Sequence, residues 1–164
     1  MISIELATHQ DVLSIHLLAN EIWWPTYEAV LTKNQIQFML KKGYSEQALT
    51  EQMDEGVIFL LAKRENANVA FAGYSLDLNE AVCKLHKLYI LPSEQGKGTG
   101  KKLIQYVSEQ SEQRGAEILE LNVNRNNPAL GFYKATGFEI FKEVDIPYHG
   151  FVLNDFVLRK PLKF

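Results

Sequence analysis

The sequence contains one cysteine, Cys83, among its 164 residues. A single cysteine excludes an intrachain disulfide and any zinc site built from several cysteines. The histidines are scattered along the chain and lack the spacing of metal ligands. We therefore expect no metal site and a reducing, cytoplasmic location.

Long hydrophobic runs and a strong net charge are also missing. The longest aliphatic run, Val57 to Ala62, is about a third of the length of a membrane-spanning helix. The first residues, MISIEL, do not have the pattern of a signal peptide. The net charge is -3, which disfavours broad binding to nucleic acid. We expect neither membrane nor nucleic-acid partners.

Hydrophobic periodicity predicts one mixed α/β domain that spans residues 1–164. Alternation at Ile2–Leu6 predicts a strand, and Thr8 with Asp11 is typical of a helix N-terminus. Helical spacing from Val12 predicts a helix that ends at Pro25. The further predicted ranges are two helices at 33–42 and 45–55, broken at Gly43; strands at 57–65, 68–78 and 81–91; a helix to about 114; a strand at 118–123; a short helix from 128 to 137; and strands at 138–146 and 151–160.

Glycine is concentrated after the third of the long strands, in the stretch QGKGTGKK, where Gly96, Gly98 and Gly100 alternate with other residues. Glycines before a helix let backbone N–H groups converge on an anion, because no Cβ atom blocks the approach of a phosphate. A turn that merely caps the helix needs only one glycine. The stretch therefore predicts a phosphate-binding loop.

Two nucleotide patterns fail on spacing. In the nucleoside-triphosphate loop, Gly96 would stand one residue too close to Gly100–Lys101, and Lys102 occupies the place of the required hydroxyl. In the dinucleotide pattern, the third glycine position is occupied by Lys101. The stretch instead satisfies Gln-x-x-Gly-x-Gly at Gln95, Gly98 and Gly100.

A second segment, LNVNRNNPALGFYKATGF, follows the loop by about thirty residues. It matches Asn-x-x-Ala-x-x-Phe-Tyr-x-x-x-Gly-Phe from Asn126 to Phe138. With the glycine loop, it resembles the GNAT superfamily of acyl-CoA-dependent N-acyltransferases over about half of the chain, Val57 to Gly137. The resemblance implies a central mixed, mostly antiparallel sheet of about seven strands, flanked by about four helices.

The resemblance also implies transfer of an acetyl group from acetyl-CoA to a primary amine within a ternary complex. A main-chain N–H on the strand before the loop, at Tyr89 or its neighbour, would meet the thioester carbonyl. The three lysines Lys97, Lys101 and Lys102 would add positive charge, although solvated helix lysines fit the pattern equally well. The residues expected to bind the coenzyme are Leu88, Tyr89, Ile90, Gln95, Gly96, Lys97, Gly98, Thr99, Gly100, Lys101, Asn124, Asn126 and Tyr133.

Within this scheme, Tyr133 is expected to be the general acid that protonates the leaving thiolate. Asn126 would bond the pantetheine arm, with Asn127 as the alternative contact. His86 is a candidate general base, because aralkylamine acetyltransferases of the superfamily carry a histidine at the matching place. It would share a face with Lys84, Leu88 and Ile90 if no bulge intervenes, and a surface histidine is the competing explanation.

The acceptor is less well determined. Trp24 and Tyr27 are candidates for the wall of an amine pocket, although packing of the helices onto the sheet explains them too. The Thr-aromatic segment and the Tyr44–Leu49 spacing distantly resemble bacterial polyamine acetyltransferases. We expect a small amine or polyamine. The acidic candidates for its second charge are Glu28, Asp77, Glu80, Asp145 and Asp155.

Two alternatives stay open. A protein N-terminus or lysine is the rival acceptor, and a regulatory module that binds acetyl-CoA without turnover is the rival function. Alternating apolar residues in the last two strands allow a homodimer.

Overall fold

The computed structural model describes residues 1–162 and contains one seven-stranded sheet, with strand order β1-β2-β3-β4-β5-β7-β6. Neighbouring strands are antiparallel except β4 and β5, which are parallel. In this part of the chain, five α-helices flank the sheet. The elements are β1 (Ile2–Leu6), α1 (Val12–Tyr27), α2 (Lys33–Tyr44), α3 (Glu46–Asp54), β2 (Ile58–Arg64), β3 (Ala67–Asp77), β4 (Val82–Ile90), α4 (Thr99–Gln113), β5 (Ile118–Asn124), α5 (Leu130–Ala135), β6 (Glu139–Tyr148) and β7 (Phe151–Pro161).

The first helix begins as the sequence predicts and ends later. Thr8 and Asp11 form a capping box around a short 3-10 turn that leads into α1. The predicted end at Pro25 is wrong, because α1 continues to Tyr27. Proline removes only the hydrogen bond to the carbonyl of Glu21, which is exposed to solvent, and the Glu28 N–H still bonds to the Trp24 carbonyl.

The predicted break at Gly43 is also displaced. Gly43 lies inside α2, and the chain turns at Ser45, which ends α2 and caps α3 through a bond from the Ala48 N–H to its hydroxyl. A serine side chain satisfies a free N–H at a helix start, whereas a glycine only permits the turn. Within residues 1–162, we find no helix with both the length and the apolar character needed to span a membrane.

The core has two layers, one on each face of the sheet. Along β2, Phe59 and Leu61 face α1, α2 and α3, while Leu60 and Ala62 face the side of α4. On that second side, α4 contributes Leu103, Ile104, Val107 and Ser111, the buried face that its periodicity predicts. Since both faces of β2–β4 are covered, these strands are rigid supports for the loops that follow them.

Strands β4 and β5 separate in the middle of the sheet. Their pairing runs from Val82 opposite Ile118 to Leu85 opposite Leu121, and ends there. At the same point a bulge leaves His86 without a partner, because Gly73 pairs with Lys87 and Tyr74 with Leu85. The shared face of His86, Leu88 and Ile90, which was expected only if no bulge intervened, is therefore not formed.

The bulge shifts the alternation of β4 by one residue. Leu85, Leu88 and Ile90 pack on the side of α4, whereas Tyr89 packs on the side of α1–α3. Lys87 lies on the same side as Tyr89, with its ammonium over the ring of Tyr44. The bulge thus positions a cationic side chain at the mouth of the separated strands.

Candidate active site

A cavity of about 980 Å³ occupies the gap between β4 and β5. Its walls come from α1 and α2 on one side, from the loop before α4, and from the start of α5 and β7 on the other. A volume of this size matches a ligand cleft rather than a packing defect.

The loop Gln95–Lys101, which we call the phosphate loop, leads into α4. Gly96 and Gly98 have φ values of +81° and +82°, a region that other residues rarely adopt. The first bond of the helix joins the Lys102 N–H to the Gly98 carbonyl. Within residues 1–162, the N–H groups from Gly96 to Lys101 make no hydrogen bond. These free donors lie at the positive end of a helix dipole, an arrangement that suits an anion.

An ion pair between the partly exposed Arg64 and the buried Glu94 fixes the base of the phosphate loop. The Arg64 guanidinium donates to both oxygens of the Glu94 carboxylate, from Nε to Oε1 at 3.1 Å and from Nη2 to Oε2 at 2.8 Å, and the Thr99 hydroxyl donates to Oε2 at 2.6 Å. These bonds lower the pKa of Glu94 to about 2. The hydroxyl of Thr99 is therefore engaged with Glu94, and its N–H is the group left for a ligand.

The edge of β4 supplies two further free donors. Leu91 donates its N–H to the carbonyl of Val69 in β3. In an antiparallel ladder, alternate residues bond to the same neighbour, so Tyr89 also faces β3. The N–H groups of Leu88 and Ile90 then face the gap. The neighbours of Tyr89, rather than Tyr89 itself, are in the position expected of the carbonyl donor.

The Tyr89 side chain belongs to an aromatic cluster formed with Trp23, Tyr27, Tyr44 and Phe71. Its hydroxyl lies 2.9 Å from that of Tyr27, which accepts a 3.3 Å bond from the Asn127 amide. Burial raises the pKa of Tyr27, Tyr44 and Tyr89 well above the ordinary value. The cluster is a neutral, rigid wall of the cavity.

Tyr133 lies on α5 and lines the cavity from the opposite side. Burial raises its pKa above the ordinary value for a phenol. Within residues 1–162, its hydroxyl makes no hydrogen bond, although the residue is only 7% exposed. A phenol that is buried, protonated and unengaged is available to donate a proton to a ligand.

His86 lies at the bulge, with its Nε2 atom 2.7 Å from the hydroxyl of Ser75. Desolvation of the ring lowers the pKa to about 4, and the charges of Lys87 and Lys84 add to this effect. The ring is therefore neutral at pH 7, but it is a weak base, and its Nε2 atom is already engaged with Ser75.

Lys87, the residue that follows His86 at the bulge, lines the same cavity. Its Nζ atom lies 4.0 Å from the centroid of the Tyr44 ring and 3.5 Å from the carbonyl oxygen of Gly43. Burial lowers the pKa of this ammonium to about 8. Like His86, it lines the cavity on β4.

The family model described as Acetyltransferase (GNAT) family matches residues 16–138, about three quarters of the chain. The chain belongs to this family. It is a GNAT N-acetyltransferase, and the seven-stranded sheet is the fold expected from the sequence.

Two named acetyltransferases and one solved structure are similar to this acetyltransferase over most of its length. The chain is 25% identical to a spermidine N(1)-acetyltransferase of Thermoplasma acidophilum, over 85% of this chain and 89% of that protein. It is 27% identical to an aminoalkylphosphonate N-acetyltransferase of Salmonella typhimurium, over 81% and 82% of the two chains. Among solved structures, PaiA N-acetyltransferase of Thermoplasma acidophilum, in complex with coenzyme A, has a TM-score of 0.84 at 22% identity, with 98% and 99% coverage.

The structure of the acetyltransferase brings most of the expected site residues to the cavity and leaves three outside its lining. Lys97 and Asn126 are exposed, and Trp24 belongs to a separate, smaller hollow with His16 and Lys41. The expected residues that line the cavity are Tyr27, His86, Leu88, Tyr89, Ile90, Gln95, Gly96, Gly98, Thr99, Gly100, Lys101, Asn124 and Tyr133.

Several cavity residues were missed or left as alternatives by the sequence analysis. Trp23 lines the cavity in place of Trp24, and helical spacing could have shown this, because Trp23 is four residues before Tyr27. Asn127 lies in the cavity wall with its side chain buried. Lys87 had no signal in the sequence, since its direction depends on the bulge.

Of the five acidic candidates, Asp155 lines the cavity. Burial raises its pKa, while the Asn122 side chain, Arg125 and Lys84 oppose that rise. Its charge is therefore partly compensated by neighbouring cations. No cluster of potential metal ligands occurs in the part of the chain that the structure describes.

Proposed function

We propose that this enzyme transfers an acetyl group from acetyl-CoA to the primary amine of a small molecule, by direct attack in a ternary complex. One observation carries the proposal. Free backbone N–H groups line both the phosphate loop and the gap beside β4, and a single continuous cavity joins them.

The residues fit a coenzyme with a pyrophosphate and a long amide arm. The N–H groups of the phosphate loop would bind the pyrophosphate, with Lys101 adding positive charge. The arm would lie in the gap, where the unpaired edges of β4 and β5 offer donors and acceptors to its amides. Asn127 and Asn124 line this part of the cavity. Asn126 is exposed, so we propose Asn127 as the contact with the arm.

Acetyl transfer would use three groups of this chain. The N–H of Leu88 or Ile90 would stabilise negative charge on the carbonyl oxygen as the amine attacks. A neutral base must take the proton of the amine, whose ordinary pKa is about 10.4. His86, with a pKa of about 4, would act through water rather than by complete proton transfer. Tyr133 would protonate the departing thiolate.

The environment of the single cysteine supports direct attack. Cys83 is fully buried in β4 on the side of α4, and burial raises the pKa of its thiol to about 11. Cys83 does not line the cavity, so its thiol is not positioned to form an acetyl-cysteine intermediate.

The relatives support a small amine as acceptor, since one is named for spermidine and the other for an aminoalkylphosphonate. A polyamine fits the size of the cavity, and so does a short amine with a different second group.

The test is thiol release from acetyl-CoA with purified enzyme and a panel of primary amines, beside a reaction without amine. We expect release that depends on an amine and produces the N-acetyl compound in equal amount. If release is the same without amine, or if no amine is acetylated while a peptide N-terminus is, the small-molecule proposal is wrong.

A further inference from the structure

Lys87 is the cationic side chain on the part of the cavity wall formed by α1, α2 and the aromatic cluster, which we call the helix wall. The other lysine of the lining, Lys101, belongs to the phosphate loop. The bulge at His86 directs Lys87 to the helix wall, away from the side of α4.

The positive charge of the Lys87 ammonium has no nearby negative charge to balance it within residues 1–162. Within residues 1–162, no carboxylate lies within 4.0 Å of it. Its one carbonyl partner, Gly43 O, is at the long distance of 3.5 Å and already accepts a 2.9 Å bond from the Gln52 amide. The ring of Tyr44 contributes a cation–π contact. An ammonium has three donors, so hydrogen-bonding capacity remains on the cavity side.

Within residues 1–162, the two carboxylates of the cavity lining do not pair with Lys87. Asp155 makes no ion pair with it and has Arg125 and Lys84 nearby, and Glu94 pairs with Arg64. His86 is uncharged at pH 7. The helix wall therefore has a positive field. A desolvated cation without an anion is costly, and a ligand that brings an anion removes that cost.

We propose that Lys87 binds an anionic group of the acceptor, so that the substrate is a primary amine with a carboxylate or phosphonate at its other end. This inference rests on the proposed function, because it assigns the acceptor to the same cavity. The opposite class, a polyamine, would place a second ammonium near Lys87 and be repelled.

The first experiment compares four acceptors of nearly equal length: 4-aminobutanoate, 3-aminopropylphosphonate, butylamine and putrescine. We expect kcat/KM for one or both acidic amines to exceed that for butylamine by about tenfold or more, since an ion pair shielded from water contributes a factor of this order. Putrescine should be the poorest. The ratio between the first two compounds identifies the carboxylate or the phosphonate as the group bound.

The Lys87→Met variant should lose the preference for acidic amines over butylamine, through a higher KM for the acidic amines. Lys87→Arg should keep part of the preference, because it keeps the charge. Lys142→Met makes the same change on the exposed face of β6 and should behave as the unmodified enzyme. A preference for putrescine or butylamine in the unmodified enzyme, or an acid preference that survives in Lys87→Met, would contradict the inference.

A binding measurement separates this inference from the proposed function. Calorimetric titration of the enzyme with 3-aminopropylphosphonate and with 4-aminobutanoate, each in the presence of coenzyme A, needs no turnover. If an acidic amine binds the unmodified enzyme and not Lys87→Met, but no amine of the full panel is acetylated while a peptide N-terminus is, the anion site stands and the small-molecule proposal fails. Equal binding to both proteins, or no binding, overturns the anion site.

Discussion

Burial has different consequences for the titratable side chains around the cavity. It raises the pKa of Tyr133, Tyr89 and Tyr27, so these phenols hold their protons, and it lowers the pKa of His86 to about 4 and of Lys87 to about 8. The site therefore contains a protonated acid and a neutral base at pH 7. Perturbed groups of this kind are typical of a catalytic centre.

Replacement of Tyr133 by phenylalanine tests the general acid. We expect kcat to fall by about 100-fold or more, because the thiolate would leave without a proton donor. KM for acetyl-CoA should change little, since the ring is retained. Steady-state kinetics measure both constants. Tyr106→Phe, a partly buried tyrosine of α4 outside the cavity lining, is the matched control, and an equal loss in both variants would assign Tyr133 to packing.

The lowered pKa of His86 predicts the pH dependence of its contribution. A histidine with an ordinary pKa near 6.5 would give an inflection in the rate near that pH. With a pKa of about 4, His86 stays neutral from pH 5 to 8, and kcat/KM should show no inflection that disappears in His86→Gln. An inflection near pH 6.5 that is lost in this variant, but retained in the His149→Gln control, would contradict the assigned environment.

At the scale of elements, the phosphate loop depends on a contact between distant parts of the chain. Arg64 ends β2 and Glu94 precedes the loop, and their bidentate pair joins Thr99 at the start of α4. The pair holds the loop in place without using its backbone N–H groups. A buried pair is strongly disrupted when one partner is removed, because the other charge is left uncompensated.

Glu94→Gln tests this anchor. We expect lower stability at pH 7 and a higher KM for acetyl-CoA. The folded pKa of Glu94, about 2, lies below the unfolded value near 4.5, so its contribution is present above pH 4.5 and is lost as the pH falls toward 2. The stability difference between the two proteins should therefore shrink over that range in urea unfolding. Glu109→Gln, on the exposed face of α4, is the control. A difference that is independent of pH would argue against the ion pair.

At the scale of the whole molecule, the cavity at the gap between β4 and β5 is lined by residues from both halves of the chain. The coenzyme is therefore expected to contact elements from both halves. A ligand that binds only the folded state raises the unfolding temperature. At 100 times its Kd the gain is about 2.7 kcal/mol, or about 5–10 °C for a chain of this length. Thermal unfolding with coenzyme A, ATP or NADH should show this shift for coenzyme A alone. Equal shifts with ATP or NADH would revive the nucleotide interpretations of the loop.

The homodimer stays a prediction. β6 is at an edge of the sheet, and it exposes Ile140 at 43% and Phe141 at 53%. We expect light scattering to give twice the 18.7 kDa mass of one chain, and Ile140→Lys to give the monomer mass. Leu6→Lys, on β1 at the opposite edge, should remain dimeric. A monomer at all concentrations would rule the dimer out.

Local patterns were sufficient for the element order, the phosphate loop and the family. The bounds of β1 and the buried face of α4 follow from periodicity, and the loop from glycine spacing, because these features depend on residues close together in sequence. The motif around Tyr133 is likewise contiguous, so its place at the cavity was predictable. Local patterns did not predict the end of α1, because the helix continues through Pro25.

Only the tertiary structure decided which side chains meet across the cavity. The partnership of Arg64 with Glu94 joins residues 30 positions apart, and the contact of Asn127 with Tyr27 joins residues 100 positions apart. The bulge at His86 moved Lys87 to the helix wall, since one extra residue in a strand reverses the direction of every side chain beyond it. Sequence alone determined the reaction family through its contiguous motifs. The charge of the helix wall depends on strand register and long-range packing, which no short pattern contains.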